Sequence, residues 1–374
     1  MKIIYSSLRL FLVVLLGTVL SVSCSDDERG CGTPEITRVS TAQNRTETIA
    51  GGNMGDFIII QGHDLCGVQR LLINDVEVDL RQAFITPAEI TLQIPRIVPQ
   101  EVSNQITLTT GGGSVTAPLA VSVPPLVVYG LAANEYALPG ETVVVKGANF
   151  DLYAVTPEAG NVTFGGVAAD VLYSSYDSVV TVVPPGIPDG PADIVVSGTY
   201  GDGTAIFPYR DNRTLLISSD PWWGWWGSDY VTSGGTPPAI SGNYIHVKRE
   251  IGSWAWTEVV GGPNNVDGST TKNIPADAMQ NPTRYLFKFE VNTLKPYSTN
   301  QIKITLGEDN DASTYLWPHY DTHGAWRTVS IPLNEIVKDP KANPDGYFIR
   351  FLFHGDGALD ADIAFDNVRV VPKP

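Results

Sequence analysis

Apolar and polar positions alternate with a period of two in many short stretches of this 374-residue chain. Residues 57–60 and 142–145 are rich in β-branched side chains, and residues 284–291 and 347–353 mix apolar and polar positions in alternation. Gly, Pro, Asn and Asp separate such stretches about every ten residues, which is typical of strands joined by tight turns. The pattern predicts an all-β protein.

Two parts of the chain repeat the same pattern. Residues 55–65 align with residues 140–150 without a gap, glycine on glycine. Further segments correspond in the same order, namely 72–76 with 163–167 and 90–95 with 179–184. Each copy is rich in short strands, so the repeat predicts two copies of one β-sandwich domain.

The order of the repeat is G-x-x-(V/I)-x-(V/I)-x-G-x-(N/D)-(F/L), then a tight hairpin, then a strand that ends in proline. This order resembles the IPT/TIG immunoglobulin-like fold, although Asn74 and Asp75 replace the double glycine in the first copy. The resemblance implies two tandem sandwiches, at residues 35–123 and 124–217. They contain neither clustered histidines nor a G-x-S-x-G motif, and we interpret them as spacers.

The remaining segment, residues 218–374, has a different composition. It holds all eight tryptophans and four of the five histidines. Its last part, residues 361–370, alternates apolar residues before a final strand and resembles the closing strand of jelly-roll carbohydrate-binding modules. We therefore expect a C-terminal β-jelly roll.

Composition and charge narrow the choice of partners. The chain has 36 Gly and 27 Pro, only 17% charged residues and a net charge of −16. Frequent glycine and proline disfavour long amphipathic helices. An acidic surface repels phosphate backbones, so we expect no nucleic-acid partner.

The N-terminus predicts where the protein works. Lys2 and Arg9 precede an apolar run that is too short to span a bilayer and is followed by small residues and Cys24. Residues 1–23 resemble a bacterial lipoprotein signal peptide, which implies that Cys24 carries the lipid and that residues 24–34 form an acidic tether. The acids just after Cys24 resemble the export signal of surface lipoproteins, which implies the extracellular face of the outer membrane.

Cys31 and Cys66 remain once Cys24 is assigned to the lipid. An even pair in an exported chain favours a disulfide, and two unrelated thiols are the alternative. We expect no cofactor and no metal. His319 and His323 have the spacing of ligands on a helix, but Pro318 and Gly324 flank them, and the acidic run that starts at residue 308 lacks the spacing of a calcium loop.

The order of lipid anchor, tandem IPT-like domains and Trp-rich jelly roll resembles the cell-surface glycan-binding proteins of polysaccharide-utilisation systems. The resemblance covers nearly the whole chain and implies a non-catalytic lipoprotein that captures a β-linked glycan such as xyloglucan, mixed-linkage glucan, xylan or mannan. It also implies an outer-membrane glycan transporter as the partner that imports the captured chain.

Aromatic side chains are the candidate binding residues, because the C–H faces of pyranose rings pack on indole faces. Trp254 and Trp256 are two apart on a predicted strand, so they share one face, which is either core or platform. Trp326 precedes a strand and is expected in the core. The remaining candidates lie in segments predicted as loops: Trp222, Trp223, Trp225 and Trp226 around Gly224, and Trp317 and Tyr320.

Two other classes of function compete with glycan binding. A glycosidase needs two carboxylates at a fixed separation, and Glu258, Glu290, Glu308 or Asp321 are available. A structural or adhesive surface protein would need none of them. We favour the binding protein, because a small jelly roll behind two spacer domains is a familiar plan for a binder.

Overall fold

Alternating apolar side chains form antiparallel strands throughout the computed structural model, which describes residues 31–220, 227–261, 274–306, 314–338 and 349–373. Cys24 and the acids after it lie outside the described residues, as do Trp222, Trp223, Trp225 and Trp226. The chain divides into two compact units, Met1–Pro124 and Pro125–Pro374. The prediction of an all-β protein is confirmed.

The first unit contains one β-sandwich. Its strands are β1 (Glu35–Thr41), β2 (Gly51–Asn53), β3 (Phe57–His63), β4 (Val68–Ile73), β5 (Val76–Glu77), β6 (Phe84–Ile85), β7 (Glu89–Gln93), β8 (Gln105–Thr110), β9 (Gly113–Pro118) and β10 (Ala120–Ser122). They form sheets of order β1-β3-β7-β6 and β5-β4-β8-β9, with β10 parallel to β2. Ile58, Ile60 and Leu71 are buried in the core that these strands enclose.

A disulfide joins Cys31 to Cys66, whose Cα atoms lie 5.9 Å apart. Asp64 reinforces the link, because its Oδ1 accepts a hydrogen bond from the Gly32 N–H at 3.1 Å. The start of the described chain is thereby fixed to the loop that follows β3. The pairing is the one that the even cysteine count favours.

The second unit begins with another β-sandwich. Its strands are β11 (Val127–Leu131), β12 (Thr142–Ala148), β13 (Asn161–Phe164), β14 (Val167–Ala169), β15 (Val171–Ser174), β16 (Ser178–Val182), β17 (Ile194–Gly198) and β18 (Gly201–Thr204). The sheets have the orders β11-β12-β16-β15 and β14-β13-β17-β18. β12 lies between β11 and β16 as β3 lies between β1 and β7, so the sequence repeat is a repeat of topology.

Each copy of the repeat has two glycines at positions where the fold requires a residue without a Cβ. Gly55 and Gly140 both have φ of +92°, a backbone conformation that side chains with a Cβ rarely adopt. A Cβ at Gly62 would lie 1.9 Å from Glu35 O, and one at Gly147 would lie 2.1 Å from Val127 O. The second glycine of each copy therefore lets the first strand of its sandwich approach closely.

The C-terminal domain is a third two-sheet structure, in the same unit as the second sandwich. Its strands are β19 (Leu215–Ile217), β20 (Val231–Thr232), β21 (Tyr244–Ile251), β22 (Thr257–Gly261), β23 (Tyr285–Thr293), β24 (Ile302–Leu306), β25 (Thr314–Trp317), β26 (Arg327–Pro332), β27 (Ile349–Phe353) and β28 (Leu359–Pro372). One sheet has the order β20-β21-β28-β23-β26, with β19 also paired to β28, and the other has the order β22-β27-β24-β25. Since β19 joins this sheet, the domain begins before residue 218.

The two sheets of the C-terminal domain enclose an aromatic core. Phe287 and Phe289 of β23 meet Phe351 of β27, with ring centroids 6.2 Å and 5.1 Å from Phe351. The two short helices, α1 (Ala276–Gln280) and α2 (Leu333–Ile336), each bury apolar side chains in the same domain. Among the described residues, no helix is long and apolar enough to cross a bilayer.

Candidate functional site

The four-stranded sheet of the C-terminal domain has one buried face and one face that carries polar and exposed side chains. Ile302, Ile304, Phe351 and Trp317 point into the core. Because neighbouring positions on a strand point to opposite faces, the intervening residues lie on the other side. We call this side the outer face, and on it lie Arg350, Leu352 and His354 from β27 and its end, Lys303 and Thr305 from β24, and Leu316 from β25.

Trp256 packs one side of its indole against the outer face. The centroid of its ring lies 5.1 Å from that of His354 and 5.6 Å from the guanidinium carbon of Arg350. The ring therefore lies beside the stretch of β27 that carries Arg350, Leu352 and His354, and Leu352 is only 1% exposed. Trp256 itself is 55% exposed, so its opposite side is open to solvent.

A buried ion pair holds the edge of that indole. Glu258 Oε1 accepts hydrogen bonds from Trp256 Nε1 at 3.0 Å and from Arg350 Nη1 at 2.9 Å. Arg350 Nε also donates to Thr305 Oγ1 at 3.1 Å. The side chains of Glu258 and Arg350 are only 10% and 7% exposed. Two charge-assisted contacts on one carboxylate oxygen therefore fix the direction in which the ring points.

Trp254, two residues before Trp256, has an unusual backbone conformation. Its φ is +60°, a conformation that costs a bulky residue about 1–3 kcal/mol and that tends to occur at functional sites. The Trp254 N–H donates to Gly355 O at 2.7 Å, and the Ala255 N–H donates to Gly252 O at 3.1 Å. The side chain is 59% exposed, and its ring meets that of His354 edge-on at 5.5 Å.

His354 thus lies between two exposed indoles, and sequence reasoning missed it. Its ring supports both Trp254 and Trp256, and its Nδ1 has no hydrogen-bond partner in the part of the chain that the structure describes. The available signal was the alternation of Arg350, Leu352 and His354, which puts the histidine on the same face as the arginine. Only the strand pairing shows that this face carries the tryptophans.

The prediction that Trp317 faces the ligand is wrong. Trp317 is 2% exposed and packs in the core, 5.4 Å from the ring of Phe289 and stacked on Tyr297 at 5.5 Å. It is a β25 position that points inward, whereas its neighbour Leu316 points outward. Tyr320 is partly buried against Trp317 at 5.5 Å.

Trp326 lies in the core, as expected. It is 6% exposed, and its Nε1 donates to Pro238 O at 2.8 Å. Its ring meets Tyr244 edge-on at 5.6 Å. Trp326 therefore stabilises the domain and offers no face to a ligand.

The carboxylates that a glycosidase would use lie apart, in different structural settings. Glu258 belongs to the outer face of the four-stranded sheet and is bonded to Arg350. Glu290 is on β23 of the other sheet, is 0% exposed and is paired with Arg369, and burial raises its pKa. The N–H of His323 lowers the pKa of the Asp321 carboxyl in a surface loop. Glu308 lies outside the described residues.

His319 and His323 do not converge on a common centre. His319 Nε2 lies 3.3 Å from Asn300 O, and its ring meets Tyr297. His323 is exposed, and its Nδ1 lies 2.8 Å from Asp321. Within the described residues, no group of three or more His, Cys, Asp or Glu side chains is arranged to hold a metal ion.

Comparison with protein families defines the class of the C-terminal domain. Residues 209–372 match the family of the surface glycan-binding protein B xyloglucan-binding domain, and residues 133–208 match the IPT/TIG domain. The C-terminal domain therefore matches a family that is described by glycan binding. The resemblance inferred from the sequence is confirmed.

Individual proteins are similar to parts or most of this chain. An IPT/TIG domain-containing protein of Bacteroides ovatus is 29% identical over 160 residues, which are 40% of this chain and 33% of that protein. The crystal structure of the surface glycan-binding protein PbSGBP-B from Prevotella bryantii superposes with a TM-score of 0.61 at 19% identity, over 91% of this chain and 99% of that one. An SGBP-B from a complex xyloglucan utilization locus in Bacteroides uniformis gives 0.50 at 19% identity, over 91% and 100%. The two superpositions show a common fold.

Proposed function

We propose that this protein binds a β-linked polysaccharide on the outer face of its C-terminal domain and does not cleave it. The observation that carries the proposal is Trp256, whose indole is packed and hydrogen-bonded on one side and open to solvent on the other. An aromatic ring that is fixed before the ligand arrives loses little conformational entropy on binding. Trp254 extends the same surface beyond His354.

Stacking on these rings gives an affinity suited to capture and release. Each sugar that covers an indole contributes about 1–3 kcal/mol by buried area. Two such stacks, less the cost of ordering a flexible polymer, correspond to dissociation constants of roughly micromolar to millimolar. A chain held by several weak contacts can be passed on to an importer.

Xyloglucan is the first ligand to test. The family of residues 209–372 is described by xyloglucan binding, and one structural relative comes from a xyloglucan utilization locus. Both Trp254 and Trp256 offer flat apolar faces, which suit the flat backbone of a β-linked glucan. Mixed-linkage glucan, xylan and mannan present similar faces and belong in the same experiment.

The place of action in this proposal is the extracellular face of the outer membrane. The support is the signal-like residues 1–23 with Cys24 and the acids after it. The sandwiches would then act as spacers that hold the binding domain above a membrane transporter. Cys24→Ala is expected to release the protein from membranes, and deletion of Asp26, Asp27 and Glu28 is expected to leave it facing the periplasm. Unchanged cleavage by protease added to intact cells after the deletion would contradict the export signal.

Native affinity electrophoresis in gels that contain each polysaccharide tests the binding function. We expect xyloglucan to retard the protein, and we expect a Trp254→Ala/Trp256→Ala variant to migrate as it does in gels without glycan. Tyr173→Ala on the second sandwich removes an equally exposed aromatic ring and is the matched control. Reducing-end release from the same polysaccharides would show catalysis and overturn the non-catalytic assignment, and absence of retardation by every glycan would overturn binding.

A further inference from the structure

One row of side chains crosses the outer face at right angles to its strands. Glu258 of β22 is opposite Leu352 of β27, Leu352 is opposite Lys303 of β24, and Lys303 is opposite Leu316 of β25. Opposite residues of an antiparallel pair point to the same side of a sheet. Since neighbouring strands are about 4.8 Å apart, the row is about 14 Å long from Glu258 to Leu316.

The two ends of this row offer apolar surface to solvent. Trp256 lies at the end formed by Glu258, to whose carboxylate its indole Nε1 donates a hydrogen bond, and it is 55% exposed. Leu316 forms the other end and is 56% exposed. The position is one residue from the buried Trp317, so the register of β25 leaves no other orientation for its side chain.

Lys303 lies between these ends with its ammonium group uncommitted. Lys303 is half-buried, and its ammonium group makes no ion pair or hydrogen bond with any residue that the structure describes. A lysine that packs its methylene groups on a sheet and leaves its ammonium group free can donate hydrogen bonds to hydroxyl oxygens at the side of a sugar ring. Leu316 beside it can cover the apolar face of the same or the next ring.

We propose that Lys303 and Leu316 form a second contact site for the glycan, so that the bound chain runs across all four strands from Trp256 to β25. This inference rests on the proposed function, because it assigns a further site on the same face. The polysaccharide class is a neutral β-glycan, whose hydroxyls accept from Lys303 and whose C–H faces pack on Leu316. A row of about 14 Å requires several sugar units, so the second site acts only on longer chains.

The test measures affinity by isothermal titration calorimetry for xyloglucan and for its oligosaccharides of increasing length. We expect the Lys303→Ala/Leu316→Ser variant to lose about fivefold in affinity for the polymer, about 1 kcal/mol. Its affinity for the shortest oligosaccharide that the wild type binds should be unchanged. Leu172→Ser, a leucine of similar exposure on the second sandwich, is the control and should bind normally.

The outcomes separate this inference from the proposed function. Polymer affinity that is normal in the double variant but lost in Trp256→Ala overturns the second site and leaves the function intact. An equal loss of affinity for short and long glycan chains also overturns it, because the effect would then not depend on whether the chain is long enough to extend from Trp256 to β25. A wild type that binds neither the polymer nor its oligosaccharides overturns both.

Discussion

Glu135 of the second sandwich and Arg369 of β28 form a buried ion pair, with Oε2 and Nη2 2.6 Å apart. The other oxygen of Glu135 lies 2.5 Å from Lys288 Nζ, and Arg369 also binds Glu290 at 2.8 Å. All four side chains are at most 5% exposed. A network of buried charges therefore joins the C-terminal domain to the second sandwich. It fixes the orientation of the outer face relative to that sandwich.

We expect Glu135→Ala to destabilise the second unit strongly. Removal of this carboxylate leaves the buried Lys288 and Arg369 without their shared partner, and breaking a buried pair costs about 3–5 kcal/mol. Urea denaturation, followed by tryptophan fluorescence, reports the change because the tryptophans lie in the C-terminal domain.

Lys295→Ala is the matched control for Glu135→Ala. Lys295 is paired with Asp360 at the surface, where both side chains are about half-exposed, and solvent-screened pairs contribute little. We expect no measurable change in its unfolding transition. Equal effects of the two substitutions would contradict the structural role of the buried network.

The tryptophans should separate into two groups when affinity and stability are measured together. Trp256→Ala is expected to lower glycan affinity about tenfold or more with little change in melting temperature, because the ring stacks on ligand rather than filling the core. Trp317→Ala removes a fully packed ring and should cost about 3–5 kcal/mol of folding free energy. Thermal melting and calorimetric titration of each variant decide the matter. If Trp256→Ala lowers the melting temperature but the folded protein binds glycan with normal affinity, Trp256 is a core residue and not a binding residue.

Strands and repeats could be predicted from the sequence because they depend on local patterns. The period of two identifies a strand, and the glycines at 55, 62, 140 and 147 mark the turn and the close approach that each sandwich requires. Trp256, by contrast, rests on His354 and Arg350, nearly a hundred positions further along the chain. Which side of a strand faces the core depends on register with such distant partners, so Trp317 and Leu316 could not be sorted in advance.

The buried ion pairs could not be predicted from the sequence either. Glu290 reads as a candidate catalytic acid in a chain with few charged residues. In the structure it is a partner of Arg369, and Arg369 in turn reaches Glu135 across 234 positions. No local pattern in the sequence indicates an ion pair between residues so far apart. The desolvation penalty and the electrostatic attraction of the pair arise only when the two domains pack together.

Glu258 should act as a positioning residue for Trp256. Glu258→Gln keeps an oxygen that can accept from the indole Nε1, so we expect it to retain most of the glycan affinity. Glu258→Ala removes the acceptor for Trp256 and the carboxylate that contacts Arg350, so we expect affinity to fall several-fold. Calorimetric titration well below the melting temperature of each variant separates this effect from unfolding. Equal affinities for the alanine and glutamine variants would show that the hydrogen bond does not orient the ring.

Asp366 should make the stability of the second unit depend on pH. Complete burial raises its pKa well above the ordinary 3.8, and the nearby Asp220 and Glu290 carboxylates raise it further, although the Asn367 N–H and the Ser241 hydroxyl oppose the shift. Below pH 3.8 both the folded and the unfolded states are protonated at this position. As the pH rises, the unfolded state loses its proton first, so the free energy of unfolding falls until the pH passes the raised pKa of the folded state.

An Asp366→Asn variant does not ionise at this position, so its stability relative to the wild type should increase as the pH rises from about 4 to 7. Asp177 of the second sandwich provides a control of opposite sign, because a hydrogen bond from Lys146 lowers its pKa to about 2. There the unfolded state holds its proton to higher pH, so Asp177→Asn should lose stability relative to the wild type as the pH rises through the range from about 2 to 4. Urea denaturation of the wild type, Asp366→Asn and Asp177→Asn from about pH 2 to 7 measures both trends. If the difference between Asp366→Asn and the wild type does not change with pH, Asp366 has an ordinary pKa in the folded protein and the buried carboxyl is not the source of pH dependence.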